Sequence, residues 1–352
     1  MAALEAVISP QEDERLMAEA LRVGQEGLGR TWPNPSVGAL VVRQTEHGPK
    51  ILGAAGTAPA GRPHAEPLAL AEAGEGARGA TLYVTLEPCS HHGRTPPCAD
   101  AVVAAGIRRV VAAIEDPDHR VKGRGVARLR AAGIWVTVGV GAEQALEDHA
   151  GHISRVTRGR PHVLLKMAVS ADGKAALPGP RPAEITGEEA RTRVHLMRAH
   201  TDAIMVGIGT VLADDPMLTC RLPGLEGRSP VRLVLDSDLR LPPTSALVRT
   251  AQEVPVWVVC AEDAPLGPER ILVDLGLVTR LMVEGGPHLA AALLDAGLVD
   301  EVALLRGAGT LGPDALDAVP GRALERLSAP VGFVEVEHAD LGPDHLTRLR
   351  RR

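Results

Sequence analysis

Residues 85–98 read TLEPCSHHGRTPPC and residues 64–66 read HAE, and these two stretches decide the interpretation of the first half of the chain. Histidine nitrogen and cysteine thiolate are preferred zinc ligands, and three protein ligands leave a fourth position for water, as in catalytic sites. The predicted zinc ligands are His64, Cys89 and Cys98. Glu66 follows His64 closely and would lie beside the metal without ligating it, where it can carry protons to and from the bound water.

The residue types match the zinc-deaminase pattern H-x-E followed by P-C-x-x-C, although residues 90–97 make a longer spacer between the cysteines. The local pattern places His64 before a helical segment and Cys98 at the start of another helix, where a thiolate is favoured. A structural zinc site is the alternative, with His91 or His92 as fourth ligand. That alternative leaves the spacing of Glu66 from His64 unexplained.

The composition is that of a folded protein of two domains. A length of 352 residues exceeds one ordinary core, and 45% hydrophobic with 23% charged residues is close to globular averages. With three Trp, one Tyr and one Phe, the core must be built from aliphatic side chains. A net charge of −6 gives no bulk electrostatic reason to bind a polyanion.

The sequence shows no recognisable membrane span or secretory signal. No apolar run of the length that crosses a bilayer occurs, and the first residues lack a basic start followed by an apolar stretch. We therefore expect a cytoplasmic protein without membrane contact. Four scattered cysteines do not form a disulfide framework, so metal ligation is the better use of the pair Cys89 and Cys98.

The order of predicted elements indicates α/β structure in both halves. Ser9 and Glu12 form a capping-box pair with Pro10 at the first helical position. Apolar runs separated by Ala-rich helical segments that end near Gly74, Gly106 and Gly133 predict a β-α-β sheet covered on both faces. A second start follows the basic stretch 155–161, so the domain boundary is predicted near 150–160. The predicted strands are 37–42, 80–86, 108–114 and 134–140, then VLLKMAVS from Val163, 203–206, 231–236, 255–260, 280–284 and 301–305.

At residues 85–98 the sequence resembles the bifunctional riboflavin-biosynthesis deaminase/reductase family, whose cysteines have this long spacer. The resemblance extends in order over nearly the whole chain, through blocks that match both halves of the family. These blocks are PNPSVGALVV from Pro33, DPDHRVKGRGVARLRAAGI from Asp116, LKMAVSADGKAA from Leu165, VGIGTVLADDPMLTCR from Val206 and VEGGPHLAAALL from Val283.

The resemblance implies a cytidine-deaminase-like α/β/α domain at 1–152 and a dihydrofolate-reductase-like α/β domain at 160–352. It also implies two reactions with Zn²⁺ and NADPH as cofactors. The first deaminates 2,5-diamino-6-ribosylamino-4(3H)-pyrimidinone 5′-phosphate by zinc-activated water, and the second reduces the ribosyl group to ribityl. The small-molecule substrate is thus a pyrimidine ribosyl phosphate, and the reductase domains of the family usually pair into homo-oligomers.

In the first half, the resemblance implies that Asn34 contacts substrate, although an Asn between two prolines is also typical of a turn. His91, His92 and Arg94 are candidates for the substrate phosphate, and solvated loop residues have the same sequence appearance.

No G-x-G-x-x-G motif follows a strand in the second half, so the assignment of NADPH depends on the resemblance alone. Glycines at 207, 209, 285 and 286 follow predicted strands, where backbone amides can approach phosphate. The implied cofactor-binding residues are Ala168, Thr210, Asp214, Ser237 and Gly286. The implied substrate-binding residues are Arg198, Leu218, Arg221, Glu284 and Lys166. Lys166 is interpreted either as a proton donor to the sugar carbonyl or as a salt-bridge partner.

The chain departs from the family where S-x-W-I-T is usual and Pro182-Ala183-Glu184-Ile185-Thr186 stands instead. An acid near the NADPH phosphates would repel them, which suggests weakened NADPH binding. Pro67 and Leu68 also depart, but Pro suits a first helical turn. One alternative is a working deaminase whose second half serves assembly. Another is a nucleic-acid deaminase, which the lack of a basic face and of stacking aromatics disfavours.

Overall fold

A computed structural model describes residues 8–93, 95–179, 183–261, 268–321, 324 and 332–352. The chain forms two compact units, Met1–Gly159 and Arg160–Arg352. Within the described residues, the first unit has a five-stranded sheet, and the second has an eight-stranded and a two-stranded sheet. The predictions for Arg94 and Pro182 fall outside the described residues.

The first unit contains a mixed sheet and several helices. Helix α1 begins with the predicted capping box, since Ser9 Oγ accepts from the Glu12 amide and the Glu12 carboxylate accepts from the Ser9 amide. The strands are β1 (Gly38–Thr45), β2 (Gly48–Gly56), β3 (Thr81–Val84), β4 (Arg109–Ala112) and β5 (Trp135–Val138). The helices are α1 (Pro10–Gln25), α2 (Ala65–Ala73), α3 (Cys98–Ala104), α4 (Arg124–Ala131), α5 (Ala142–Asp148) and α6 (Ala150–Arg158), with 3₁₀ turns at Pro59–Gly61 and Gly74–Ala77.

The strand order in this sheet is β2-β1-β3-β4-β5. Strands β3, β4 and β5 are parallel, as β-α-β units require, whereas β1 is antiparallel to both β2 and β3. Strand β2 was not predicted. Helix α1 packs closely on β1, because a Cβ at Gly38 would lie 1.8 Å from the Ala20 carbonyl oxygen, so only glycine fits there.

The second unit is also α/β, and the predicted strands are confirmed with small shifts at their ends. Strands β7, β13, β14 and β15 were not predicted. The strands are β6 (His162–Val169), β7 (Lys174–Ala176), β8 (Ala203–Gly207), β9 (Val231–Leu235), β10 (Val256–Val259), β11 (Arg280–Val283), β12 (Glu301–Arg306), β13 (Leu316–Asp317), β14 (Phe333–Leu341) and β15 (Asp344–Arg351). The helices are α7 (Glu188–Ala199), α8 (Ile208–Asp214), α9 (Ala246–Arg249), α10 (Pro268–Asp274) and α11 (Pro287–Asp295), with a 3₁₀ turn at Glu226–Arg228.

The main sheet of this unit has the order β10-β9-β8-β11-β6-β12-β15-β14. The first six strands in this order are parallel to one another. The hairpin of β15 and β14 completes the sheet, and β15 pairs antiparallel with β12. The carboxyl ends of parallel strands meet at one edge of a sheet, which is where open α/β sheets bind ligands. In this unit β6, β8, β9 and β11 all end at that edge.

Candidate active sites

The first unit brings His64, Cys89 and Cys98 together, and their ligand atoms all lie within 4.8 Å of one another. The His64 Nδ1 atom is 3.3 Å from Cys98 Sγ and 3.8 Å from Cys89 Sγ. A tetrahedral zinc with ordinary Zn–S and Zn–N bonds separates such ligand atoms by about 3.6 Å. The spacing and the soft donors therefore fit a zinc ion.

Local structure fixes each of these three side chains. His64 is the N-cap residue of α2 and Cys98 is the first residue of α3, as the sequence predicted. Cys89 lies in the segment after β3 and accepts a hydrogen bond from the Cys98 amide at 3.3 Å. Two helix starts and one strand end thus converge on a single point.

The hydrogen bonds at Cys89 favour its thiolate. Donation from Cys98, together with His64, lowers the pKa of the Cys89 thiol to about 4, against the opposing effect of burial. The same proximity raises the pKa of the Cys98 thiol, because its proton is held by the neighbouring sulfur. Cys89 is therefore ionised at neutral pH, which is the form in which a cysteine binds a metal.

Glu66 is buried in the first turn of α2, beside the three-residue cluster and outside the ligand group. Burial raises the pKa of its carboxyl to about 7, and the nearby Cys89 charge acts in the same direction. A carboxyl that exchanges its proton near neutral pH is suited to general acid and base catalysis.

Neither His91 nor His92, both within the described residues, belongs to the His64, Cys89 and Cys98 group. The group therefore offers three protein ligands and a remaining position for water, which is the catalytic arrangement.

Asn34 braces the turn that leads to His64. Its side-chain Nδ2 atom donates to the Gly61 carbonyl oxygen at 2.8 Å, and its backbone N–H donates to the Thr31 carbonyl oxygen at 3.0 Å. Gly61 has φ +78, and a Cβ there would lie 2.6 Å from Asn34 Nδ2. Asn34 thus stabilises the turn at Gly61, three residues before His64.

Glu87 is a buried carboxylate for which the sequence indicated no function. It accepts hydrogen bonds from the amides of Asp116, Gly123 and Val126 at 3.1, 2.9 and 3.0 Å. These bonds tie the segment that carries Cys89 to the start of α4. The sequence signal was weak, because a glutamate beside a proline is usual in loops.

In the second unit, the Glu284 carboxylate follows β11 and forms ion pairs with two basic side chains. Arg198 on α7 donates through Nε and Nη2 to the two carboxylate oxygens at 2.7 and 2.9 Å. Lys166 on β6 forms an ion pair with Glu284 at 3.7 Å, a contact that both interpretations of Lys166 allow. Burial would raise the pKa of Glu284, but Arg198 and Lys166 outweigh it and hold the pKa at about 2.

His195 also lies in this cluster and was missed by the sequence reasoning. Its Nδ1 atom is 3.1 Å from the Thr219 carbonyl oxygen and 3.3 Å from the Arg221 amide. Arg198 donates to the same Thr219 oxygen at 3.1 Å. His195 precedes Arg198 by three residues on α7, a spacing that places both on one helix face and could have indicated it.

Burial, reinforced by the charges of Arg198 and Arg221, lowers the pKa of His195. Leu218 is buried and has φ +55, a conformation that a side chain of this type rarely adopts. Of the predicted substrate-binding residues, Arg198 and Lys166 pair with Glu284. Arg221 contacts His195 and Thr219, and Leu218 immediately precedes Thr219 in the chain.

Two of the predicted cofactor positions are neighbours in space. Gly286 is the N-cap residue of α11, and a Cβ placed on it would lie 3.7 Å from Thr210 Oγ1 on α8. A Cβ on Gly207 or Gly209 would meet nothing within 4 Å. Gly207 is the N-cap residue of α8 and Gly209 lies in its first turn, so open backbone there leaves room for a nucleotide phosphate to approach the amides.

The remaining cofactor positions are less closely linked. Ala168 is near the end of β6, Ser237 follows β9, and Asp214 ends α8, where burial raises the pKa of its carboxyl. At the departure from the family pattern, Glu184 is exposed. Ile185 packs on Gly307, where a Cβ would lie 1.9 Å from the Ile185 carbonyl oxygen.

The folds and clusters of the two units define a class of bifunctional enzyme, a zinc-dependent deaminase joined to a reductase. Residues 10–114 match the model of the cytidine and deoxycytidylate deaminase zinc-binding region, and residues 161–344 match that of the RibD C-terminal domain. The riboflavin biosynthesis protein RibD of Escherichia coli (strain K12) is 41% identical over 366 residues, covering 95% of this chain and 98% of that protein.

Solved structures agree with these matches. The Acinetobacter baumannii RibD structure, form 1, superposes with a TM-score of 0.86 at 34% identity, covering 98% of this chain and 100% of the other. A Thermotoga maritima deaminase/reductase structure gives 0.86 at 34% identity, covering 97% and 99%. The chain belongs to the RibD family, the zinc- and NADPH-dependent deaminase/reductases of riboflavin biosynthesis. Among the described helices, none is both long and apolar enough to cross a membrane.

Proposed function

We propose that this chain deaminates 2,5-diamino-6-ribosylamino-4(3H)-pyrimidinone 5′-phosphate and then reduces the ribosyl group of the product, giving 5-amino-6-(5-phosphoribitylamino)uracil. The Thermotoga maritima structure carries the name of a diaminohydroxyphosphoribosylaminopyrimidine deaminase and 5-amino-6-(5-phosphoribosylamino)uracil reductase, which supports this choice. The observation that carries the proposal is the convergence of His64, Cys89 and Cys98 beside buried Glu66.

In the deaminase unit, His64, Cys89 and Cys98 would hold a zinc ion, which would lower the pKa of a water molecule to roughly 7. Glu66 would accept a proton from the attacking water while the water oxygen bonds to the ring carbon that carries the amine. Glu66 then returns the proton to the amine, which leaves as ammonia. Asn34 holds the substrate at the wall of the site.

In the reductase unit, Arg198 and Arg221 bind the substrate phosphate by charge-assisted hydrogen bonds. Leu218 and Glu284 complete the substrate site, and the Glu284 carboxylate pairs with Lys166 at 3.7 Å. NADPH would supply a hydride to the sugar carbon that is bonded to the amino nitrogen. The bond from that carbon to the ring oxygen would break, and Lys166 would donate a proton to the freed oxygen. The residues that would hold the cofactor are Ala168, Thr210, Asp214, Ser237 and Gly286.

The same proposal covers the bounds of the domains and the assembly of the protein. Residues 1–152 carry the deaminase and residues 160–352 carry the reductase, and the two compact units support this division.

The protein is cytoplasmic, binds no nucleic acid and forms a homo-oligomer through its reductase domain. Light scattering on the purified chain tests the last point, since a monomer at all concentrations would contradict it.

The direct test supplies the diaminopyrimidinone phosphate with and without NADPH, while ammonia release and NADPH absorbance are followed together. We expect ammonia in both cases and loss of absorbance only after deamination has begun. Ammonia release without any NADPH oxidation would contradict the reductase assignment and favour a second unit that serves assembly. A Cys98→Ser variant should release no ammonia, whereas the matched Cys260→Ser variant should behave as wild type.

A further inference from the structure

The β14–β15 hairpin carries a second group of metal-ligating side chains, far along the sequence from the zinc cluster. Asp340 on β14 is paired directly with His345 on β15, and His338 lies two residues before Asp340. Side chains two residues apart on a strand share a face, as do directly paired residues. His338, Asp340 and His345 therefore project from one face of the hairpin.

The donor atoms of these three residues converge. His345 Nδ1 is 2.7 Å from Asp340 Oδ1, His338 Nε2 is 4.0 Å from the same oxygen, and all ligand atoms lie within 4.8 Å of one another. The two imidazole rings are stacked, with centroids 6.0 Å apart and an interplanar angle of 21°. Nitrogen and oxygen ligands of one metal ion are separated by about 3 Å, so small side-chain adjustments would accommodate an ion.

The opposite face of the hairpin fixes its backbone. Leu346 is fully buried in a core that includes Met282 and Ala303, and Ala339 and Leu341 pack against that core. In contrast, the side chains of His338, Asp340 and His345 are 55%, 76% and 51% exposed. The three ligands thus stand on a rigid support and remain open to solvent.

From this geometry we infer that His338, Asp340 and His345 form a second, surface site for a divalent transition-metal ion of the zinc class. Two imidazoles and one carboxylate with open positions suit Zn²⁺, Ni²⁺ or Cu²⁺, whereas Mg²⁺ and Ca²⁺ prefer all-oxygen sites. The site has no thiolate and is exposed, so it binds metal less tightly than His64, Cys89 and Cys98.

The test is the zinc content of the full chain, with its catalytic zinc in place, after equilibrium dialysis against increasing Zn²⁺. We expect wild type to bind a second equivalent, and His338→Ala and His345→Ala to lose that equivalent while retaining the first. Asp340→Asn should weaken the second equivalent. The matched control is His47→Ala, which removes another exposed histidine and should still bind two equivalents.

Three further readouts separate this site from adventitious binding. NADPH oxidation by the hairpin variants should equal that of wild type, which shows that the reductase unit is folded. Cu²⁺ added to the zinc-loaded protein should give an electron paramagnetic resonance spectrum with two nitrogen ligands, which both histidine substitutions alter. Excess Mg²⁺ should not displace the second zinc.

The inference is overturned if wild type binds only one zinc throughout the titration. It is equally overturned if the His338→Ala and His345→Ala variants keep the second equivalent, or if Mg²⁺ displaces it.

Discussion

Glu284 shows how a buried carboxylate depends on its neighbours. Its burial alone would raise its pKa above the ordinary 4.5, yet Arg198 and Lys166 bring the pKa down to about 2. The charged form is therefore more stable in the folded protein than in the unfolded chain. This difference links the stability of the reductase unit to pH.

A depressed folded-state pKa gives stability that is fully present above the unfolded value of 4.5 and is lost as pH falls toward the folded value of about 2. We expect Glu284→Gln to be less stable than wild type at neutral pH. Between pH 4.5 and about 2, its unfolding free energy should fall less steeply than that of wild type. Urea unfolding at neutral pH and between pH 4.5 and about 2 measures the two effects, with exposed Glu188→Gln as control. An unchanged slope in the Glu284 variant would contradict the ion-pair account.

Glu184 stands where the family pattern has a Trp, and the hypothesis of repulsion from the NADPH phosphates is testable at this residue. Exposed charge interactions are worth about 0.2–1 kcal/mol, so Glu184→Gln should lower the KM for NADPH by about 1.5- to 5-fold. Steady-state kinetics on the deaminated intermediate measure this, with Glu188→Gln as the matched control. An identical KM in the two variants and wild type would show that the substitution in this loop is harmless.

At the level of elements, the segment after β3 is held by Glu87. Its carboxylate accepts three backbone hydrogen bonds from residues 116–126, and its position two residues before Cys89 links this network to the zinc cluster. The fit is close, since a Cβ on Gly125 would lie 2.0 Å from the Pro88 carbonyl oxygen.

Glu87→Gln replaces one acceptor oxygen with an NH₂ group that faces backbone donors. Because a buried unsatisfied group costs about 1–3 kcal/mol, we expect the first unit to unfold at a lower temperature and to hold zinc less tightly. Calorimetry and zinc affinity measure these effects. Glu115→Gln changes an exposed neighbour and should have no effect, and equal melting temperatures for the two variants would contradict the role of Glu87.

The sequence predicted the elements whose signals are local. The capping box at Ser9 predicted α1, and the apolar runs predicted β1, β3 to β6 and β8 to β12. The positions of His64 and Cys98 in the zinc pattern predicted the starts of α2 and α3. Strand β2 was missed because GPKILGAAG is rich in glycine, and β14 and β15 because their exposed faces are charged. Such strands form through pairing with neighbours, which a single sequence does not display.

The candidate site residues likewise fall into those with a local sequence signal and those without one. The zinc cluster follows from residue types at a specific spacing, so His64, Glu66, Cys89 and Cys98 could be named in advance. Glu87 and His195 act through backbone groups brought in by the fold, and such contacts have no fixed spacing in the sequence. The reductase residues were available only through the family resemblance.

At the scale of the whole molecule, each unit has its own core. One buried apolar cluster lies wholly within the first unit, and the others belong to the second. The zinc cluster and the Glu284 cluster use residues of one unit each. Loss of one activity by a side-chain substitution should therefore leave the other intact.

Glu66→Gln tests the account most directly, because it removes only the proton carrier beside the predicted metal. After dialysis that removes weakly held metal, the variant should keep one zinc per chain and should oxidise NADPH normally on the deaminated substrate. Its rate of ammonia release should fall by about 10²- to 10⁴-fold. Ammonia release at the wild-type rate, or loss of zinc together with activity, would contradict the assignment of Glu66 as a proton carrier at a three-ligand zinc site.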